Sequence, residues 1–505
     1  MAKRSASLTD RSWRWLCRAY RENKTPFLAS LTAGFAAHGF AFTNKLLNHD
    51  EIESLFGKGA TVTSGRWGLE LVKLLFPDWS MPWIYGILSV LLLSAAVCLA
   101  VRILDIRSKP LQALLGALVL SFPSLTGTFC FMFTSSSYAL AFLLSVLSVY
   151  EYQRGGKLRV PLSILFLVLG VSIYQAYISV AACLYILLMI EDALEPDSSP
   201  LQIVLFGLKA LLLMAVSVAV YYAITQLVFA ATGAQFNDYV TENVNGSVSL
   251  IRRIRIAYDS FLYTFSFRNF YLISTEASRY IHIALGALML MCLGALSVRN
   301  RKPMHAALLL VLTALLPLGI ECMYLIMSPE SIHTLVVYSF VSVYLLAAII
   351  TERMRTLTGR SAGDLMALLL AAVTLINVYF ANMCYLKLEL QYRNADAFYT
   401  SLCAQIKNTE GFDKDTKLAI IGYQDNLMFI PEELDTELLM GPAHDLVNVY
   451  SRENFFRYYL SFDIPFAGGD ELERLSADER VRDMSEYPYY GSVRKIDDYI
   501  VVKLG

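Results

Sequence analysis

The chain runs to 505 residues, 56% hydrophobic and only 17% charged, with a mean hydropathy of +0.49; a soluble domain carries about a quarter charged residues, so most of this chain is built to meet lipid. Basic and acidic residues nearly balance, leaving a formal net charge of -1, which excludes the one-sided basic surface of a nucleic-acid binder; arginine and lysine gather at the N-terminus and in short loops, where they report topology. The eight cysteines are scattered, mostly inside apolar runs, with no Cys-x-x-Cys and no Cys/His cluster at zinc spacing, and read as small core residues.

Residues 1–25 carry Lys3, Arg4, Arg11, Arg14, Arg18, Arg21 and Lys24, and no convincing cleavage site follows, which reads as a retained cytoplasmic segment and not a signal peptide. Apolar stretches near the length that crosses about 30 Å of hydrocarbon place spans at 26–47, 82–104, 110–128 and 134–151. Arg107 and Lys109 follow the second span, and Arg154, Lys157 and Arg159 follow the fourth, so the positive-inside rule makes those loops cytoplasmic and turns the first loop, 48–80, outward. The run 160–193 is too long for one span and holds Tyr174-Gln175-Ala176-Tyr177 at its midpoint, which predicts two short helices meeting near the outer face. Further spans follow at 204–231, 279–298, 303–327, 331–350 and 364–385, with cytoplasmic turns at Arg299-Asn300-Arg301-Lys302 and at Arg353, Arg355 and Arg360. The total is about eleven transmembrane helices, N-terminus in and C-terminus out.

Two outer segments exceed a connector, 232–278 and 386–505. The second opens with a polar, helix-like stretch through Gln391, Arg393, Asp396 and Gln405. It continues into the short apolar run Lys417-Leu418-Ala419-Ile420-Ile421-Gly422 and closes on Tyr499-Ile500-Val501-Val502-Lys503-Leu504. Helix followed by β-branched runs predicts a small extracytoplasmic α/β domain. No internal repeat is visible, against the inverted-repeat plan of many transporters.

The first outer loop reads Asn48-His49-Asp50-Glu51 and, later, Ser64-Gly65-Arg66-Trp67-Gly68. A carboxylate held where a membrane helix meets water is placed to accept a proton from a sugar hydroxyl, arginine can pair with phosphate, and tryptophan suits the headgroup level. Chance acids in a loop and an interfacial Trp67 are the plainer reading of the same residues. Arg252, Arg253 and Arg255 break the positive-inside pattern in 232–278, either to hold an anionic lipid headgroup or as the solvated face of an interfacial helix. Gln175, Tyr174 and Tyr177, with Glu321 and His333, are polar groups at outer-leaflet depth, either lining a pocket or hydrogen-bonding neighbouring helices. No phosphate loop, nucleophile elbow or His-Glu-x-x-His occurs, so ATP-driven transport and zinc hydrolysis lose support. Asp50 and Glu51 are hard oxygen ligands suited to magnesium or manganese, but two acids are a thin coordination set, and no cofactor is assigned.

The Asn-His-Asp-Glu loop, Gly65-Arg66-Trp67, Phe122-Pro123-Ser124-Leu125, Ser137-Tyr138 and Ile173-Tyr174-Gln175-Ala176-Tyr177, in that order over roughly residues 26–390, resemble the bacterial glucosyl transferase II family of GT-C-type polytopic glycosyltransferases. The resemblance implies a GT-C-like transmembrane domain over 26–385 and transfer of a sugar, typically glucose, from a polyprenyl-phosphate carrier to a cell-surface glycan outside the membrane. It assigns the catalytic base to Asp50 and the second acid of the pair to Glu51, where the family more often has aspartate. Arg66 takes the Gly-Arg-Trp position, and His49 and Trp67 join the pocket. It also implies an upstream polyprenyl-phosphate glucosyl synthase and a flippase as partners. A lipid-linked glycan transporter or flippase is the rival reading, and a membrane-anchored sensor a second. Neither needs acids at the water boundary together with so many spans and a soluble outer domain.

Overall fold

The computed structural model describes residues 8–57, 59–77, 79–243, 248–265, 276–327, 334–357, 360–413, 415–422 and 446–505. The chain divides into two compact units, one of residues 1–44 and 60–382, the other of residues 45–59 and 383–505.

The first unit is helical. It opens with α1 (Leu8–Thr43); the short α2 (His49–Glu53) belongs to the second unit, and α3 (Gly68–Val72) returns to the first. Then follow α4 (Pro82–Ile103), α5 (Lys109–Ser121), α6 (Pro123–Cys130), α7 (Met132–Arg154), α8 (Arg159–Ile173), α9 (Ile178–Leu194) and α10 (Pro200–Thr232). After α11 (Asp238–Asn243) and α12 (Leu250–Phe265) come α13 (Glu276–Asn300), α14 (Pro303–Ile320), α15 (Ser342–Leu357) and α16 (Arg360–Lys407), whose residues from 383 on belong to the second unit. Among the described residues nine helical stretches are long and apolar enough to cross a membrane. Two further expected spans fall short by that measure: α8 has 15 residues, and the apolar half of α1 is diluted by Thr32, His38 and Thr43.

Proline sets several boundaries. It opens α4, α5, α6, α10 and α14 in the first turn, where its missing N–H costs nothing. Residues 160–193 break where expected: Tyr174 is extended, a single tight turn covers Gln175–Tyr177, and α9 then resumes. Residues 334–351 are buried throughout, whereas α10 exposes Leu201, Leu205, Leu208, Leu211 and Leu212 along its length, as a lipid-facing helix does. His38 shows how the interior absorbs a polar group: its Nε2 lies 2.8 Å from the Leu120 carbonyl and its ring packs 4.8 Å from Phe129.

One boundary differs from the sequence reading. The span at 364–385 and the polar helix after it are one helix, α16, of 48 residues. Between Gly363 and Gly411 the chain has no glycine or proline to interrupt it, and Gly411, at φ +77°, lies just past its end.

In the second unit, β1 (Lys417–Ile421), β2 (Val493–Ile496) and β3 (Tyr499–Lys503) form a sheet in the order β1-β3-β2, with β1 parallel and β2 antiparallel to β3. Alternation sorts the side chains. Leu418, Ile420, Ile500 and Val502 face one core with Tyr399, Leu402 and Ile406 of α16, Phe455, Phe456, and Leu47 and Ile52 of the 45–59 segment. Ala419, Ile496 and Val501 face another with Leu475 of α18 (Gly469–Ala477), after α17 (Arg452–Asn454), and Val481 of α19 (Glu479–Arg482). The result is helix, sheet, helix.

Candidate functional site

Within the first unit, the Ser64–Gly68 loop is built by local rules. A tight turn over Val62–Ser64 ends at Gly65, whose φ of +70° strains any other residue. Gly68 then starts α3 hard against α8: a Cβ there would stand 2.3 Å from Ser172 Oγ and 2.8 Å from the Ser172 carbonyl carbon. Three residues from later in the chain clasp the loop. Tyr221 OH donates to the Gly65 carbonyl at 2.9 Å, and Gln175 Nε2 donates to the Ser64 carbonyl at 2.9 Å and to Tyr221 OH at 3.1 Å. Asn237 donates from its backbone to the Thr63 carbonyl at 3.0 Å and from its side chain to Ser64 Oγ at 3.2 Å.

The loop aims its two large side chains at different partners. Trp67 is buried, stacked on Tyr221 at 18° between ring planes, with Nε1 donating to Thr225 Oγ1 at 3.1 Å. Arg66 Nη1 donates to Tyr138 OH at 3.1 Å, and its guanidinium lies 5.2 Å over the Tyr174 ring. Tyr138 and Tyr174 stack at 4.1 Å. Arg66, Trp67, Tyr174 and Gln175, drawn from residues more than a hundred positions apart in sequence, therefore meet in one cluster. Tyr177 touches it through Tyr174, but is itself buried against Phe142 and Tyr338, a packing role. Tyr138, Tyr221, Thr225 and Asn237 were absent from the sequence-derived site. Tyr221 and Thr225 carry a faint signal, hydroxyls one helical turn apart inside an apolar run.

The acidic turn belongs to the second unit. Asn48 caps α2, its Oδ1 accepting the Glu51 N–H at 2.7 Å. The neighbouring acids then part ways. Glu51 is fully buried and ion-paired with Lys45, whereas the Asp50 side chain is 42% exposed, with His49 Nε2 3.7 Å from its Oδ1. Asp50 is the accessible carboxylate of the turn, and Glu51 ties the turn down. With Glu51 held by Lys45, the pair does not converge on a divalent ion; among the described residues no group of three His, Cys, Asp or Glu is disposed to hold a metal.

The outer arginines also divide. Arg253 is buried, its Nε and Nη1 donating to the Val248 and Met327 carbonyls at 3.1 and 3.2 Å, which pins α12. Arg252 and Arg255 are exposed on the other face of α12, Arg255 lying 3.6 Å from Asp259. Glu321, at the end of α14, is buried, and its Oε1 has no hydrogen-bond partner among the described residues. His333 lies outside the described residues.

The glucosyl transferase GtrII family matches residues 39–346, a stretch that holds the acidic turn, the Gly-Arg-Trp loop and every helix that clasps it. No curated protein and no solved structure matches the chain at comparable significance. The family match covers more than half of the sequence and takes in most of the apolar helices: the chain belongs to the glucosyl transferase GtrII family.

Proposed function

We propose that this protein is an inverting GT-C-type glycosyltransferase of about eleven spans that moves a sugar, glucose by family, from a polyprenyl-phosphate carrier to a glycan acceptor on the outer face of the cytoplasmic membrane. Its N-terminus is inside, and residues 386–505 stand outside as the acceptor-side domain. Asp50 takes the proton of the acceptor hydroxyl as that oxygen bonds to the anomeric carbon. The bond from that carbon to the phosphate oxygen breaks from the opposite face, its electron pair leaving with the lipid phosphate. A phosphate leaving group needs cations more than a general acid, and Arg66, Arg252 and Arg255 are our candidates for that charge. Glu51 and Arg253 hold the turn and helix that carry these groups.

The observation that carries the reading is an accessible carboxylate, Asp50, on a capped turn within the segment matching the glucosyltransferase family. The test is transfer from synthetic polyprenyl-phosphate glucose to a membrane-derived glycan by purified protein, wild type against Asp50→Asn. Loss of two to four orders of magnitude, roughly what a general base contributes, with thermal stability and donor binding kept, is the expected result. Undiminished transfer by the variant removes Asp50 from the mechanism. An inactive wild type with every donor favours a lipid-linked glycan flippase.

A further inference from the structure

Asp50 shares its turn with a surface that the proton transfer does not use. The segment from α2 onward sets Asp50, Glu53 and Phe56 three residues apart, and residues 450–459 of the same unit set Tyr450, Asn454 and Tyr458 four apart, so each series keeps to one side of its helical stretch. The two series run side by side. Tyr450 stands in the field of the Asp50 and Glu53 carboxylates, Asn454 Nδ2 donates to Glu53 Oε2 at 2.5 Å, and the Phe56 and Tyr458 rings meet edge to face at 5.2 Å. Ile52, Phe455 and Phe456, from the same two stretches, are sunk in the core.

What this seam leaves in water is aromatic: Phe56 is 57%, Tyr450 56% and Tyr458 45% exposed. Large rings gathered at a surface mark a binding face. Its charge narrows the occupant. Asp50 and Glu53 are hydrogen-bond acceptors, while Lys45 is paired with Glu51, Arg452 is buried, and Arg457, which also bonds the Tyr458 hydroxyl, is paired with Glu453 and Asp463. Two carboxylates repel a phosphate or an anionic headgroup. They suit the hydroxyls of an uncharged sugar, whose apolar C–H face can lie on the electron-rich face of an aromatic ring.

Building on the glycosyltransferase reading, we propose that Phe56, Tyr450 and Tyr458 form an acceptor-glycan subsite that seats an uncharged sugar ring and turns one of its hydroxyls toward Asp50. The test titrates the full-length protein in nanodiscs with uncharged glucan, rhamnan and mannan hexasaccharides, and separately with glycerophosphoglycerol as a free anionic headgroup. At least one hexasaccharide binds wild type, and the double variant Phe56→Leu, Tyr458→Leu weakens it by roughly tenfold or more. Tyr458→Phe, which keeps the ring, stays close to wild type, and matching thermal midpoints exclude misfolding. Transfer from polyprenyl-phosphate glucose to the membrane-derived glycan is read in parallel: its absence in wild type speaks against the enzyme reading, not the subsite. The subsite is overturned if no hexasaccharide binds, if binding survives the double variant, or if the variant loses the headgroup and not the sugar.

Discussion

Asp50 and Glu51 are adjacent in sequence and chemically alike, yet one is half-exposed and the other has no exposed side-chain surface. The difference arises because Asn48 caps a single helical turn, and successive residues of a helix point about 100° apart. Glu51→Gln takes away the carboxylate that Lys45 faces while keeping the shape, and losing a charge-assisted hydrogen bond costs about 1.5–3 kcal/mol. We expect a lower thermal midpoint for that variant, with transfer per folded molecule falling far less than in Asp50→Asn; the reverse ranking would move the base to Glu51. The sequence revealed that this loop carries two adjacent acids. It did not reveal which acid would be buried, because Lys45 becomes the partner of Glu51 only once the turn has formed. Arg253 teaches the same lesson: three arginines within four residues look equivalent in a list, but one of them ends on two carbonyls.

Among the elements, those with a local pattern were the most legible: the break at Tyr174 and the apolar runs that became β1 and β3. β2 was missed because Val493-Arg494-Lys495-Ile496 buries only its two ends, too short a pattern to read until β3 lies beside it. The Gly-Arg-Trp cluster was legible as separate motifs but not as a cluster, since Tyr221 and Asn237 reach Gly65 and Ser64 only through the tertiary fold. Glu471 shows an element junction of this kind. From the first turn of α18 it accepts from Lys417 of β1 and Tyr499 of β3 at 2.8 and 2.7 Å, and from the Gly468 N–H at 2.8 Å. Those bonds, the Lys417 ammonium first, lower its pKa to about 2 from 4.5. A depressed folded pKa means that the unfolded chain takes up the proton first, so this stabilisation is full above pH 4.5 and fades as pH falls toward 2. The thermal midpoint of wild type should exceed that of Glu471→Gln at neutral pH, and the gap should close between those two values; a gap independent of pH would mean that the charge of Glu471 plays no part.

For the whole molecule, the proposed orientation rests on charge placement. Arg107, Lys109, Arg154, Lys157, Arg301, Lys302 and Arg353 lie in or beside connections that the positive-inside rule assigns to the cytoplasm, and by the same rule we propose that the chain after α16 lies outside. The acceptor-side assignment depends on that direction, because a glycan outside the cell meets Asp50 and the aromatic seam only if the second unit is outside too. Six of the eight native cysteines are buried and two half-buried, so a single surface cysteine can report topology against a low background. Tyr490, 97% exposed in the second unit, and Lys157, exposed between α7 and α8, are suitable positions. In intact cells a membrane-impermeant maleimide should label Tyr490→Cys and spare Lys157→Cys, and lysis should make both reactive. Labelling of Lys157→Cys alone would invert the molecule, put the second unit on the side where sugar nucleotides are made, and remove the need for a flipped lipid donor.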